Sequence, residues 1–314
     1  MPFVYTFITR PQQLVVIRLI HGFATAIYGP VSMAMVVELS NEHRASYVGI
    51  FSLGRTGGYI LGPALAGYFL LMRPPVEIFT IIGLLSLFSL IPLLLLREQH
   101  EKRNGIKATA FSLPEQLKHG LSHAALTPAV WLAGGFEAIN NMVTYTAKAF
   151  LPIYALSIGR TVLEAGLFFT VQQGVTMLLK PCLGWLADRY RPLWVIGVAG
   201  IGLAAALFMI TVSNTTIVFF GAAVLLGLAE ALIIPASTAL VADQIDELNT
   251  GAGLGLLGAL QNGSKIIGPI LAGFLIALSG YEFAFRMMGL FIIGSIGALA
   301  VSQLISHAMA HKRL

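Results

Sequence analysis

The chain has 314 residues, 57% of them hydrophobic and only 11% charged. A soluble domain carries roughly 25% charged residues, so the composition points to an integral membrane protein, and the net charge of +5, gathered in a few loops, does not indicate nucleic acid. The single cysteine, Cys182, excludes a disulfide within the chain, suggests neither metal nor thiol chemistry, and is expected to be a small packing residue.

Met1 to Ile8 lacks the basic start, apolar stretch and cleavage site of a signal peptide and is expected to be the tail of one further span. Apolar stretches of about 20 residues then predict spans at 14–38, 47–72, 76–96, 127–156, 163–187, 193–212, 215–241, 250–279 and 283–307. The fold class is therefore all-α, a membrane helical bundle with about nine complete spans. Residues 97–126 form the longest connection, with a short surface helix expected at Ser112 to Glu115. They divide a partial N-terminal half (1–96) from a six-helix C-terminal half (127–314). One set of loops holds Arg44, Arg97, Lys102, Arg103, Lys107, Lys118, Arg189, Arg191, Lys312 and Arg313, the other only Arg10, Arg73 and Arg160. Lys and Arg concentrate on the cytoplasmic side, which places the first set and the C-terminus there.

Several spans carry polar groups. In the first, Arg18 shares a face with His21, Thr25 and Ser32. Arg18 can counter a carboxylate or a passing proton, or reach for lipid headgroups. His21 is read either as a proton-exchanging group or as a hydrogen-bonded packing residue. The second span holds Arg55, Thr56 and Tyr59, together with Gly58, Gly62, Pro63 and Gly67. Small residues at this spacing allow close helix approach, and the proline removes a backbone hydrogen bond.

The span at 127–156 carries the most informative pattern. Glu137, Asn140, Asn141, Thr144, Tyr145 and Lys148 are separated from Glu137 by 3, 4, 7, 8 and 11 residues, which puts all six on one helical face. Ionisable groups at membrane depth are costly unless they face a bundle interior or a wet cavity, so this stripe predicts a polar path. Gln172, Gln173, Thr176 and Lys180 form a second stripe, Glu230 stands alone in its span, and Gln261, Asn262 and Lys265 occupy another. Carboxylates in low dielectric take up protons more readily than in water, which makes Glu137 and Glu230 the candidate proton carriers; Glu137 can also be read as an interfacial residue.

Two segments repeat. Gly22, Pro30, Glu38 and Glu42 match Gly227, Pro235, Asp243 and Glu247 at a constant offset of 205. After one inserted residue, Gly57, Gly62-Pro63, Leu65, Ala66 and Gly67 match Gly263, Gly268-Pro269, Leu271, Ala272 and Gly273. Transporters are often built from repeated halves. Residues 127–205 have no partner in this repeat, so roughly 80 further residues are expected before Met1.

On these residues the chain resembles the major facilitator superfamily, in particular its proton-coupled drug-efflux branch. Arg18-Leu-Ile-His-Gly22-Phe-Ala-Thr-Ala26 is similar to the fourth-helix signature, and Gly58-Tyr-Ile-Leu-Gly62-Pro63-Ala-Leu-Ala-Gly67 to the fifth-helix signature associated with antiporters. Gly184-Trp-Leu-Ala-Asp188-Arg189-Tyr-Arg191 resembles the second-half copy of the cytoplasmic loop signature, with Arg191 where glycine is usual and Pro192 where a basic residue is usual. The resemblance implies a monomeric secondary transporter of the bacterial inner membrane. It would work by alternating access, with a small organic solute and protons as its partners beside the lipid bilayer, and without metal or cofactor. It also implies that the polar spans line the solute path, that the glycine and proline positions form a pivot, and that Asp188 gates by holding the helix start near Gly251.

No GxxxxGK[ST] phosphate loop is present, nor HExxH, GxSxG or a paired aspartate constellation. An ATP-driven pump and an intramembrane enzyme are therefore disfavoured. Uptake of an organic anion or sugar by symport stays open, because Lys148, Lys180, Arg55 and Lys265 favour an anion. A shortened, non-transporting membrane protein also stays open.

Overall fold

The computed structural model describes residues 2–39, 44–91, 122, 125–242 and 250–311. These form nine helices and no strand: α1 (Pro2–Tyr5), α2 (Pro11–Leu39), α3 (Arg44–Met72), α4 (Pro75–Leu87), α5 (Pro128–Ser157), α6 (Val162–Arg189), α7 (Pro192–Thr211), α8 (Thr216–Ala242) and α9 (Thr250–His311). The chain divides into two compact units, Met1–Lys107 and Ala108–Leu314.

Local chemistry sets the helix ends. Proline opens α2, α4, α5 and α7, where its missing N–H and fixed φ cost nothing. The amides of Thr9 and Arg10 donate to Gln13 Oε1 at 2.8 and 3.0 Å, which satisfies donors left open at the start of α2. A capping box starts α6: Glu164 N–H donates to Thr161 Oγ1 at 3.1 Å, and Thr161 N–H donates to Glu164 Oε2 at 2.9 Å. Upstream, α5 ends in a Schellman motif. Arg160 N–H donates to Ala155 O and Gly159 N–H to Leu156 O, with Gly159 at φ +82°, a conformation that suits glycine.

The two predicted spans at 250–279 and 283–307 are joined without a loop. A single residue, Gly280 (φ 84°, ψ 178°), interrupts α9 and separates a first arm, 250–279, from a second, 281–311. The predicted span at 76–96 is shorter as regular helix, since α4 ends at Leu87 and turns at residues 88–89; 92–96 lies outside the described residues. Of the expected tail at Met1 to Ile8, α1 covers Pro2–Tyr5. Cys182 stands exposed on α6 instead of packed.

In the first unit, α1 lies against α4. Phe3 faces Gly83 so closely that a Cβ there would sit 2.8 Å from the ring, and Tyr5 stacks on Phe79 with centroids 5.4 Å apart. In the second unit, the first arm of α9 packs on α5, the second arm on α7, and α8 on α6 and α7. Its core holds Phe168, Phe219, Phe285, Leu151, Leu203 and Leu207.

The second unit is also apolar outside. Trp194, Ile201, Ile217, Ile270, Phe274 and Phe291 are exposed, while Glu137, Asn140, Gln172 and Thr176 are buried. Water would not tolerate so large an apolar surface on a monomer; a bilayer does. Four described stretches are long and apolar enough to cross one: Val162–Leu183, Pro192–Thr211, Thr216–Val241 and Gly255–Ala300. The last has length for two crossings, one on each side of Gly280. The stripe on α5 dilutes its apolar character below that level.

One charge expected in a loop is built into the packing. Arg160 is only 9% exposed. It donates to Glu164 Oε1 at 3.1 Å and to the Ser213 carbonyl at 2.6 Å, and its guanidinium lies 4.4 Å from the Phe219 ring centroid. It thus ties the α5–α6 turn to the α7–α8 turn. Arg160→Ala should destabilise the second unit by roughly 2–3 kcal/mol, the cost of charged hydrogen bonds lost from a shielded site. Thermal unfolding in detergent would show this, and an unchanged midpoint would remove Arg160 from the clamp.

Candidate functional site

The polar groups of the second unit lie on α5, α6, α8 and the first arm of α9, some buried and others, Lys148, Lys180 and Asn262, exposed. On α5, Glu137, Asn140 and Thr144 are buried, Asn141 and Tyr145 half-buried, and Lys148 exposed. Glu137 is 0% exposed, and among the described residues neither carboxylate oxygen has a hydrogen-bond partner. Asn141 Nδ2 donates instead to the Glu137 backbone carbonyl at 2.9 Å. An ionised carboxylate so placed has neither water nor a donor to hold it, a cost of several kcal/mol that a bound proton or an approaching cation removes. The cations whose fields reach it are Lys180 on α6 and Lys265 on α9.

A second centre joins α6 to α8. Gln172 Nε2 donates to Glu230 Oε2 at 3.2 Å. One turn further along α6, the Thr176 hydroxyl lies 3.0 Å from both the Gln172 and the Gly227 carbonyl oxygens. Glycine at 227 makes this approach possible, because a Cβ there would stand 2.5 Å from the Gln172 carbonyl. Glu230 follows Gly227 by three residues on the same face, so the close helix crossing brings its carboxylate to Gln172.

A third centre lies near the middle of α5 and of the first arm of α9. The ammonium groups of Lys148 and Lys265 lie 4.9 and 5.5 Å from the centroid of one ring, Tyr145. Lys265 also donates to Asn262 Oδ1 at 3.0 Å. Gln173 and Gln261 are half-buried. On a different side of α5, Ile139, Met142 and Val143 meet Leu275, Met288 and Phe291 around a wholly apolar cavity of about 280 Å³.

In the first unit, Tyr5 gathers the polar residues of α2. Its hydroxyl lies 2.9 Å from His21 Nδ1, and the Arg18 guanidinium is 5.6 Å from its ring centroid. Thr25 turns back to the carbonyls of His21 and Gly22. Arg55 and Tyr59 are exposed on α3.

The glycine signatures differ between the repeat copies. Among the described residues, nothing lies within 4 Å of a Cβ built at Gly22, Gly58 or Gly62; Gly67 is buried. At Gly268 a Cβ would lie 2.7 Å from the backbone of Met142. Pro63 and Pro269 sit inside α3 and α9. Gly184, Asp188 and Arg189 lie in the last turns of α6, Arg189 exposed. The Asp188 side chain and its expected hold near Gly251 lie outside the described residues, as does the helix expected at Ser112 to Glu115.

Two further buried hydroxyls lie outside the predicted set. Among the described residues Ser237 Oγ and Thr146 Oγ1 have no partner. Thr146 lies on the face of α5 opposite Glu137, and small hydroxyls in apolar helices usually bond their own backbone, which leaves no sequence signal for either.

The Major Facilitator Superfamily model matches residues 1–146 and 136–304. An uncharacterised MFS-type transporter of Methanocaldococcus jannaschii is 21% identical over 310 residues, 95% of this chain and 78% of that one. The quinolone resistance protein NorA of Staphylococcus aureus is 27% identical over 150 residues, 48% of this chain but 37% of NorA. Among solved structures, a bacterial homologue of the human lysosomal transporter Spinster superposes with a TM-score of 0.66 at 16% identity, covering 96% of this chain and 78% of that one.

Proposed function

We propose, because the chain belongs to the Major Facilitator Superfamily, that it is a secondary transporter exporting a small organic solute in exchange for protons. The observation that carries this reading is Glu137, a fully buried carboxylate without a hydrogen-bond partner on the polar face of a membrane helix. Such a group is a functional site by default, and it carries a proton across low dielectric at less cost than a charge. Glu230, held by Gln172, is the second proton carrier. Efflux is supported by the similarity of about half the chain to a quinolone resistance protein and by the fifth-helix signature from Gly58 to Gly67. In this reading the protein acts as a monomer in a bacterial inner membrane with its C-terminus cytoplasmic, residues 97–126 link its two halves, and access to the solute alternates between the two sides.

The test is reconstitution in proteoliposomes with an imposed pH gradient and a panel of lipophilic cations, neutral drugs and organic acids. At least one solute should move uphill against the proton flow and stop moving with a protonophore. Solute accumulating together with protons would replace export by uptake, and no gradient-driven flux for any solute would overturn the reading.

A further inference from the structure

We propose that Lys148, Lys265 and Tyr145 form a binding site for the anionic group, a carboxylate, of an amphipathic solute. The proposal rests on the transport reading only in making this site part of the solute path, since the geometry lies wholly within the second unit.

Two ammonium groups converge on one aromatic ring. Lys148 lies 4.9 Å and Lys265 5.5 Å from the Tyr145 centroid, so the two nitrogens are no farther apart than those distances together. They come from different elements, Lys148 one turn beyond Tyr145 on α5 and Lys265 from the first arm of α9. Like charges at this range repel, and more strongly as the dielectric falls. The ring quadrupole attracts each cation by only about 0.5–2 kcal/mol. An anion between them removes the repulsion and gains two charge-assisted hydrogen bonds.

The surroundings favour the same occupant. Lys180 adds a third cation on α6, exposed but near enough to act on Glu137, so these three lysines outnumber the carboxylates of Glu137 and Glu230 by one even with both ionised. The excess grows by one with each proton taken up. Lys148 is exposed and Lys265 half-buried, which leaves room for a ligand to approach. Each lysine is a flexible point charge with three donors and can close around a carboxylate. The ring of Tyr145 between the two lysines suits a ligand that carries an aromatic group beside its anion. An arylcarboxylate supplies both.

The experiment measures binding of tritiated 2-naphthoate to the purified chain in detergent, with unlabelled acid and its methyl ester as competitors. The acid should displace label at a concentration at least about tenfold below the ester, as expected where ion pairing sets specificity. K148Q combined with K265Q should weaken acid binding by at least about tenfold, and K148R combined with K265R should restore most of it, since charge and donors are retained. Size-exclusion profile and thermal midpoint establish that each variant is folded. Absence of saturable binding, equal displacement by acid and ester, or wild-type acid affinity in the glutamine variant would each overturn the proposal. The transport reading fails separately: lysine-dependent acid binding without gradient-driven flux of any solute removes transport and leaves the site, whereas flux of cationic or neutral solutes without preference for the acid removes the site and leaves transport.

Discussion

Replacing Glu137 with glutamine should reduce proton-driven accumulation by at least about a hundredfold, while exchange of labelled for unlabelled solute continues. Glutamine keeps the shape of the side chain, so the packing around a residue with no exposed surface is nearly preserved. What is lost is the ability to take up and release a proton. Among the described residues neither carboxylate oxygen has a hydrogen-bond partner, and the cations whose fields reach an ionised Glu137 there are Lys180 and Lys265. Charge there must be met by a proton or by movement of a cation, and that link is what couples proton flow to a change of state. Exchange needs the change of access but no net proton transfer, so it survives. A hundredfold loss corresponds to about 2.7 kcal/mol of coupling, within the several kcal/mol at stake for a buried, unpaired carboxylate. The measurement is uphill flux against counterflow in the same proteoliposomes. Full uphill flux in E137Q would exclude Glu137 as the carrier, and loss of both activities would make it a structural residue.

Much of the helical layout was legible because its main signal, apolar runs of about 20 residues, is local. The prolines at helix starts, the Thr161–Glu164 capping box and Gly159 at a helix end are equally local, acting within five residues, but were not read in advance. The helical period placed the α5 stripe on one face, and that face is where Glu137, Asn140 and Thr144 are buried. What escaped reading depends on partners far away in the chain. Arg160 looked like an outer-loop charge because its acceptor, the Ser213 carbonyl, is 53 residues on. Lys148 and Lys265 were both noticed, but their meeting at Tyr145 requires the packing of α5 on α9, which no local pattern encodes. The glycine repeats were the least decipherable. Gly22 and Gly227 are equivalent in sequence, yet one faces open space among the described residues and the other touches the α6 backbone. The repeat records shared origin, while contact depends on the neighbouring helix.

This difference between equivalent glycines sets the other large expected effect. Gly268→Ala and Gly227→Ala should each destabilise the second unit by about 1–3 kcal/mol, at the upper end because the neighbour is backbone. Gly62→Ala should leave stability nearly unchanged. A Cβ at 268 would sit 2.7 Å from the Cα and carbonyl oxygen of Met142, and one at 227 would sit 2.5 Å from the Gln172 carbonyl oxygen. Flexible side chains can move aside at such distances, but main chain inside a helix moves only with the whole helix. Separating α5 from α9 would spread Lys265 from Tyr145; separating α6 from α8 would break the Gln172–Glu230 bond and the Thr176 contact with Gly227. The two variants should therefore differ in function as well as stability. Gly227→Ala is expected to impair proton coupling through Glu230, and Gly268→Ala to weaken anion binding at Lys148 and Lys265. Thermal midpoints in detergent, read beside coupled flux and 2-naphthoate binding, separate these effects. If Gly62→Ala cost as much stability as Gly268→Ala, the two copies of the glycine signature would be equally tight, and their different surroundings could not explain a difference in role.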